Sequence, residues 1–236
     1  MLAMPLPLPE VTSIRDFMVF EQHVRAARAR RNSDVPEAWY EAPTFYFSNH
    51  RTLFPNGSDV PRPPYTSELD FELEIACVLG KGGRDLHPDD AEGLIAGFTI
   101  YNDWSARDVQ RQEMAVGLGP SKAKDFANSL GPALVPPDEL ADARVSRGRY
   151  DLRMTAAING VRVSDGNARD MRWDFAELIA HASQSVDLYP GDVFGSGTVG
   201  TGCLLELGTE VHPWLVPGDV VELEITGLGV LRNTIA

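Results

Sequence analysis

The stretch LDFELEIACVLGKGGRDLHPDDAEGLIAGFTIYNDWSARD, Leu69 to Asp108, decides how this chain is read. Its first part alternates as a β-strand does, with successive side chains on opposite faces. Leu69, Phe71, Leu73, Ile75 and Cys77 fall on one apolar face, and Asp70, Glu72 and Glu74 on the other. Carboxylates that close repel one another, so something must offset them. Solvent is the simple answer and a bound cation the alternative. A second apolar run, Phe98 to Tyr101, ends in Asn102-Asp103-Trp104-Ser105. Asp103 is thereby placed at a strand end, and Ser105 with Asp108 has the form of a helix capping box. Two glutamates on one strand face and an aspartate at another strand's end can make a three-carboxylate oxygen site.

The chain has 236 residues, enough for one domain or one with an appendage, and 43% of them are hydrophobic, enough for a sizeable core. A net charge of −13 argues against nucleic acid and against an anionic membrane surface as partners. It also means that an anionic ligand needs a local positive pocket. Two cysteines, Cys77 and Cys203, do not make a disulfide framework and point to a reducing cytoplasm. No window reaches membrane-spanning length. The N-terminal MLAMPLPLPE has no basic region and no long apolar core, so no signal peptide is expected.

After this Pro-rich start, Ser13 and Asp16 form a second capping box. Phe17, Phe20, Val24 and Ala27 follow at helical spacing, and Arg28-Ala29-Arg30-Arg31 suits a helix C-terminus. His23 lies on this helix beside the apolar stripe. A short strand is expected at Phe45–Phe47 and a helix from Ala106 to Glu113, with Arg107 and Gln110 on one face. Asp138 to Arg149 reads as a polar linker. The C-terminal half reads mostly as strands: Tyr150–Ile158 leading into the hairpin signal Asn159-Gly160, then Val193–Ser196, Leu204–Leu207, Val220–Ile225 and Gly229–Thr234. One helix, Trp173–Ser183, interrupts them. Strands around a few helices, without regular βαβ alternation, indicate an α+β fold.

Gly195-Ser-Gly197-Thr-Val-Gly200 matches G-x-G-x-x-G, but a dinucleotide site needs a helix to begin there. Cys203 to Leu207 reads as a strand instead. A tight turn presenting Thr198 to a pocket is the better reading.

Several pieces now carry a family resemblance from about Ser13 onward. They are Leu69-Asp-Phe-Glu-Leu-Glu74, Asn102-Asp-Trp-Ser-Ala-Arg-Asp108, Lys124-Asp-Phe with Leu130-Gly-Pro132, Pro190-Gly-Asp-Val leading into Gly195-Ser-Gly-Thr198, and Gly227-Leu-Gly-Val-Leu-Arg-Asn-Thr234. In order and spacing the chain resembles the fumarylacetoacetate hydrolase family, in the form of a bacterial protein with that domain. The resemblance implies a large mixed β-sheet rolled into an open barrel or sandwich with few helices. Residues 1–40 would be an N-terminal segment with a helix and residues 41–236 the catalytic domain, in one compact unit. It also implies a homodimer, a divalent metal and a small anionic 2-oxo or β-diketo acid as substrate.

Carried over by resemblance, Glu72, Glu74 and Asp103 are the metal ligands. All-oxygen sites suit hard cations, so Mg²⁺ is expected, or Mn²⁺ or Ca²⁺, rather than Zn²⁺. Arg107, Gln110 and Lys124 correspond to the polar groups around a developing oxyanion, and Thr198 to a contact with a substrate oxygen. Cleaving a 1,3-diketone leaves an enolate, which a metal and fixed donors would hold. Glu21-Gln22-His23-Val24 resembles the family's catalytic histidine segment, and Glu206 matches the glutamate that pairs with it. His50 is a competing base. Smaller relatives carry a glutamate three residues after the histidine, where this chain has Ala26. The hydrolase proper has an extra aspartate ligand and a pocket tyrosine, and Val19 and Met114 fall near those places. Most full-length relatives also have a larger N-terminal domain. The expected activity is metal-dependent hydrolysis of a C–C bond in an acylpyruvate-like acid. The alternatives are a decarboxylase, isomerase or hydratase on a 2-oxo diacid, and a non-catalytic binding module.

Overall fold

A computed structural model describes residues 8–30 and 32–236. Most of the Pro-rich start, and the last arginine of the basic run, lie outside the described residues. A seven-stranded sheet has the order Phe45–Ser48, Ser13–Phe17, Asp192–Gly195, Leu73–Leu79, Ile95–Asp103, Asn128–Val135, Leu53–Pro55. Ser13–Phe17 runs parallel to Asp192–Gly195, and Leu53–Pro55 to Asn128–Val135; the other neighbours are antiparallel. A five-stranded sheet packs against it in the order Val161–Asn167, Arg153–Ile158, Val220–Ile225, Gly229–Ile235, Asp59–Val60. Side chains from both sheets share one core, and the larger sheet curls into a half-barrel. The fold is α+β with few helices, as the sequence predicts. Among the described residues, no helix is long and apolar enough to cross a membrane.

Local chemistry explains the elements that hold the layers together. Asn159 and Gly160 both take positive φ, +52° and +80°, and join Arg153–Ile158 to Val161–Asn167 in a tight hairpin. Asp174 caps the Phe175–Ala182 helix, and the Glu177 carboxylate accepts a hydrogen bond from the Asp174 amide. Phe175 from that helix packs on Phe98 at 5.4 Å between ring centroids, and Tyr150 closes the same cluster at 4.9 Å from Phe98. Cys77 and Cys203 are free and fully buried, and burial pushes both thiols up.

The structure corrects several local expectations. Ser13 and Asp16 do not cap a helix. Ser13–Phe17 is a strand held between Asp192–Gly195 and Phe45–Ser48, and the helix begins only at Glu21, running to Ala29 with no side-chain cap. Pairing on both edges outweighs a local capping signal. The strand from Leu69 is broken: Leu69–Asp70 pairs with Ser105–Ala106, and the main strand starts at Leu73. Both faces of that strand are buried, so its acidic side chains meet protein rather than solvent. The helix after Asp103 is Arg107–Val116 with Ala106 at its N-cap, while Asp108 accepts hydrogen bonds from Thr66 and Ser67. The stretch from Asp138 to Arg149 contains a short helical segment and the Arg144–Ser146 strand.

Leu204–Leu207 is a one-turn helix rather than a strand. The Asp70 carboxylate accepts from the amides of both Leu204 and Leu205, at 2.8 and 2.9 Å. The start of that helix is therefore already filled by an anion, which speaks against a nucleotide phosphate there.

Phe98 joins sheet and helix and is fully buried. Phe98→Ala should destabilise the fold by about 3–5 kcal/mol, read as a lower midpoint in urea. A loss of less than about 1.5 kcal/mol would mean that the core collapses around the site without cost.

Candidate metal centre and active-site cavity

The sheet brings four carboxylates together. Asp16 comes from Ser13–Phe17, Glu72 from the break just before Leu73–Leu79, Glu74 from the start of that strand, and Asp103 from the end of Ile95–Asp103. One oxygen from each lies within 4.8 Å of the others, and all four side chains are buried. The sequence reading places three of these residues in one site. It misses Asp16, which it assigns to a helix cap, and finds no extra aspartate, with Val19 near the place where one would fall. Asp16 pairs across the sheet with Tyr46 and Gly195. A Cβ at Gly195 would stand 2.6 Å from Asp16 Oδ1, so the glycine makes room for the carboxylate.

The cluster is held by few donors. Lys124 Nζ lies 2.7 Å from Glu72 Oε2 and 2.5 Å from Asp103 Oδ2. Arg107 Nε donates to Asp70 Oδ2 at 2.7 Å, its Nη1 donates to Gln110 at 3.0 Å, and its Nη2 lies 2.8 Å from Glu72 Oε1. The Gly197 amide donates to Glu74 Oε2 at 2.8 Å. Gly197 has φ +78°, and a Cβ there would stand 2.3 Å from the Phe17 carbonyl oxygen, so only glycine can bring this amide in. The Tyr46 hydroxyl sits between Asp16 Oδ2, at 2.7 Å, and Asp103 Oδ2, with one proton to donate. Tyr46 is a further residue the sequence reading misses; its place opposite Asp16 was hidden once Ser13–Phe17 was read as helix.

The electrostatics follow from burial. Five carboxylates, Asp70 included, face two cations. Burial and the neighbouring Asp103 push Asp16 up to about 8. Burial, with Asp16 and Glu72 close by, raises Glu74 well above the ordinary carboxylate range. Asp103 is raised by burial despite Lys124. Burial would raise Glu72 too, but Lys124 and Arg107 outweigh it and hold that carboxyl below its usual range. Asp16 Oδ1, Glu74 Oε1 and Asp103 Oδ1 are buried with no hydrogen-bond partner among the described residues. Unpaired buried acceptors are costly. A hard divalent cation offsets both the charge and the missing partners, so these residues fit such an ion. Glu72 would take part while also holding Lys124 and Arg107.

A cavity of about 290 Å³ borders the cluster. Asp16, Glu72, Arg107, Gln110, Lys124 and Thr198 reach its wall. Thr198 is buried, and its hydroxyl has no partner among the described residues. His23 is also on the wall, with Nδ1 3.7 Å from Glu206 Oε2, an ion-pair distance too long for a hydrogen bond. Both Glu206 oxygens accept from the Thr201 amide, at 2.9 and 2.7 Å. Thr201 holds φ +68°, a costly conformation for a β-branched residue, at the point where its amide orients Glu206. His50 is not on the cavity wall, whereas Met114 is. Asp70 ties two parts of the site together, because one carboxylate holds Arg107 and caps the helix that carries Glu206.

Buried carboxylates on a curled mixed sheet, beside two cations and a ligand-sized cavity, define an α+β protein with a candidate divalent-metal site. Residues 12–236 match the family described as fumarylacetoacetate (FAA) hydrolase C-terminal, and the chain belongs to the fumarylacetoacetate hydrolase family. It is 38% identical over 178 residues to the human protein named oxaloacetate tautomerase FAHD2A, mitochondrial, covering 75% of this chain and 54% of that one. The chain thus spans about half the length of this and similar curated relatives. Its fold is similar to a putative HpcE protein from Mycobacterium smegmatis, with TM-score 0.77 and 28% identity, over 99% of this chain and 78% of that one. It is also similar to fumarylpyruvate hydrolase from Pseudomonas aeruginosa, solved in complex with Mn²⁺ and pyruvate. There the TM-score is 0.75 over 100% of this chain and 99% of that one, and at 22% identity the likeness is one of fold.

Two predictions follow from the cluster. Folded Asp16 titrates near 8 against an ordinary 3.8, so between those values the folded state holds more protons than the unfolded one. Without metal, stability should therefore fall as pH rises through that window, and Mn²⁺ should raise Tm more at about pH 8 than at about pH 5. A chelated protein whose Tm is flat or rising across the window would contradict this. Glu74→Gln should weaken Mn²⁺ binding at least about tenfold in calorimetry.

Asp70→Asn keeps the shape and removes the charge facing Arg107. It should cost roughly 3–5 kcal/mol in urea unfolding, as for other broken buried pairs. A loss below about 1 kcal/mol would show that Glu72 alone suffices to hold Arg107.

Proposed function

We propose that the chain is a divalent-metal-dependent enzyme that hydrolyses a C–C bond in a small acylpyruvate-like β-diketo acid. Asp16, Glu72, Glu74 and Asp103 would hold the ion, with Mg²⁺ or Mn²⁺ suited to this donor set. When bound, the ion supplies Lewis acidity toward the oxygens of a 2-oxo acid. The observation that carries the hydrolytic reading is the His23–Glu206 pair on the wall of the cavity that borders the carboxylate cluster.

In this reading Glu206 faces Nδ1 and leaves Nε2 of His23 to take a proton from water. The water oxygen bonds to the distal carbonyl carbon. The C–C bond then breaks, and its electron pair becomes the enolate of the 2-oxo acid fragment. Lys124 and Arg107 stand where that negative charge collects, with Gln110 beside Arg107. Thr198, whose hydroxyl has no partner among the described residues, donates to a substrate oxygen. Proton return to the enolate carbon gives the 2-oxo acid and the free carboxylic acid. The separation of 3.7 Å in the pair does not count against this, because such contacts often tighten only with substrate.

A second reading is favoured by the 38% identity to a protein named oxaloacetate tautomerase. Here His23 would take its proton from carbon rather than from water, and the same cations would hold the same enolate. Oxaloacetate and acetylpyruvate, each with Mn²⁺, separate the two. Loss of enol absorbance with release of pyruvate and acetate supports hydrolysis. Faster keto–enol exchange of oxaloacetate with no new product supports tautomerisation.

His23→Ala should lower kcat by about 10²–10⁴ with KM little changed. Glu206→Gln should fall part of the way, and the double variant should be little worse than His23→Ala. An inactive His50→Ala beside a fully active His23→Ala would overturn the assignment of the base.

A further inference from the structure

The helix Arg107–Val116 carries more of the site than the side chains it sends to the cavity wall. Arg107 and Gln110 reach that wall directly. Glu113, on the next turn, is half-buried and is not on the wall. Its carboxylate accepts four hydrogen bonds from one short stretch of chain. On Oε2 they come from the amides of Ser121, at 2.8 Å, and Ala123, at 3.3 Å. On Oε1 they come from the Lys122 amide, at 2.6 Å, and the Ser121 hydroxyl, at 3.0 Å. Burial would raise this carboxyl, but the Ser121 amide and hydroxyl, with the next two amides, outweigh it and hold it below its ordinary range.

The stretch that Glu113 grips is a single helical turn. The amides of Lys124 and Asp125 both donate to the Ser121 carbonyl at 3.0 Å. The three amides before them are the orphan donors that begin any such turn, and among the described residues Glu113 is their one partner. A lone turn is not stable by itself. This one starts with two exposed residues, Ser121 and Lys122, and ends by delivering Lys124, fully inside, onto Glu72 and Asp103. The lysine side chain is long and flexible, so the seat of its backbone decides where the ammonium stands. That seat has a second tie to the same helix, because the Ala123 carbonyl accepts from the amide of Ala106, the N-cap residue, at 2.9 Å. One helix thus refers both cations of the site to a common frame, Arg107 through its own side chain and Lys124 through Glu113.

We propose that Glu113 is a positioning residue for the reaction, its carboxylate holding the turn at Ser121–Asp125 so that Lys124 stands where the enolate charge collects. This rests on the reading of Lys124 as a group that holds an enolate. Glu113 itself touches neither the carboxylate cluster nor the substrate. The loop between helix and turn, Gly117 to Pro120, has no share in that duty.

The lysines make the test clean, because the chain has only Lys81, Lys122 and Lys124, and of these Lys124 alone is buried. With Mn²⁺ present, a water-soluble acylating reagent read by mass spectrometry should label Lys81 readily and Lys124 barely. Glu113→Gln turns an amide N–H toward the donors of the turn, and labelling of Lys124 relative to Lys81 should rise at least about tenfold through local opening. Cys77, buried in the sheet, should stay closed to a thiol reagent in the same variant. Glu113→Asp keeps the charge and should regain part of the protection. Leu118→Ser, at a side chain 85% exposed in the intervening loop, should leave Lys124 as in the wild type. With acetylpyruvate, Glu113→Gln should lower kcat by about 10–100-fold with KM little changed, the cost of a misplaced group. Placed in a Lys124→Met background it should lower kcat no further than about twofold, since it acts through Lys124. A Lys124 still protected in Glu113→Gln, or a full further loss of kcat in the Lys124→Met background, would overturn the proposal and leave the hydrolytic reading intact. Cys77 opening together with Lys124 would also overturn it, since Glu113 would then serve the fold at large. If the wild type cleaves no acetylpyruvate, the hydrolytic reading falls, and the labelling alone decides whether Glu113 seats Lys124.

Discussion

Four carboxylates within reach of one another in a buried pocket is the constraint on which this molecule turns. Like charges at that separation in a low-dielectric interior cannot all stay ionised without compensation. The protein answers with Lys124 and Arg107, both spent on Glu72 and its neighbours, a single glycine amide on Glu74, and a tyrosine proton shared by Asp16 and Asp103. That is less than the cluster needs, and the remainder must come from bound protons or a bound cation. The curled sheet, the glycines at Gly195 and Gly197 and the buried lysine all make sense as parts of that arrangement.

How much of this was legible in the sequence depended on the range of the interactions. Period-2 alternation put Glu72 and Glu74 on one face, and the end of an apolar run put Asp103 at a strand terminus; the structure brings all three together. Asp16 was not legible, because Ser13-Ile-Arg-Asp reads locally as the start of a helix. Only strands from residues 45–48 and 192–195 make it extended, and those partners are invisible to a local pattern. Tyr46 was lost with it, since its meaning depends on standing opposite Asp16. Leu204-Leu-Glu-Leu207 failed for a related reason. Its composition suits a strand, but Asp70, far away in the chain, supplies the cap that makes it a helical turn.

The role of Asp70 shows how one buried side chain can couple two chemistries. Its carboxylate orders the guanidinium beside Glu72 and, through two amides, fixes the turn that aims Glu206 at His23. Thr201 adds the second hold on Glu206 from a strained backbone. The histidine side of the cavity and the cation side are therefore not independently adjustable, and substitutions on one should be felt on the other.

The parallel pairing of Ser13–Phe17 with Asp192–Gly195 also bears on how the chain reaches its native state. It is a contact between distant parts of the sequence, and such pairings carry a large loop-closure cost and tend to form slowly. Until it forms, Asp16 is absent from the cluster. An ion that needs the whole cluster has little to grip in a partly folded chain. It would act after the folding barrier rather than before it, so that it slows unfolding while leaving the rate of folding almost untouched. Metal supply would then set the lifetime of the finished protein more than its yield.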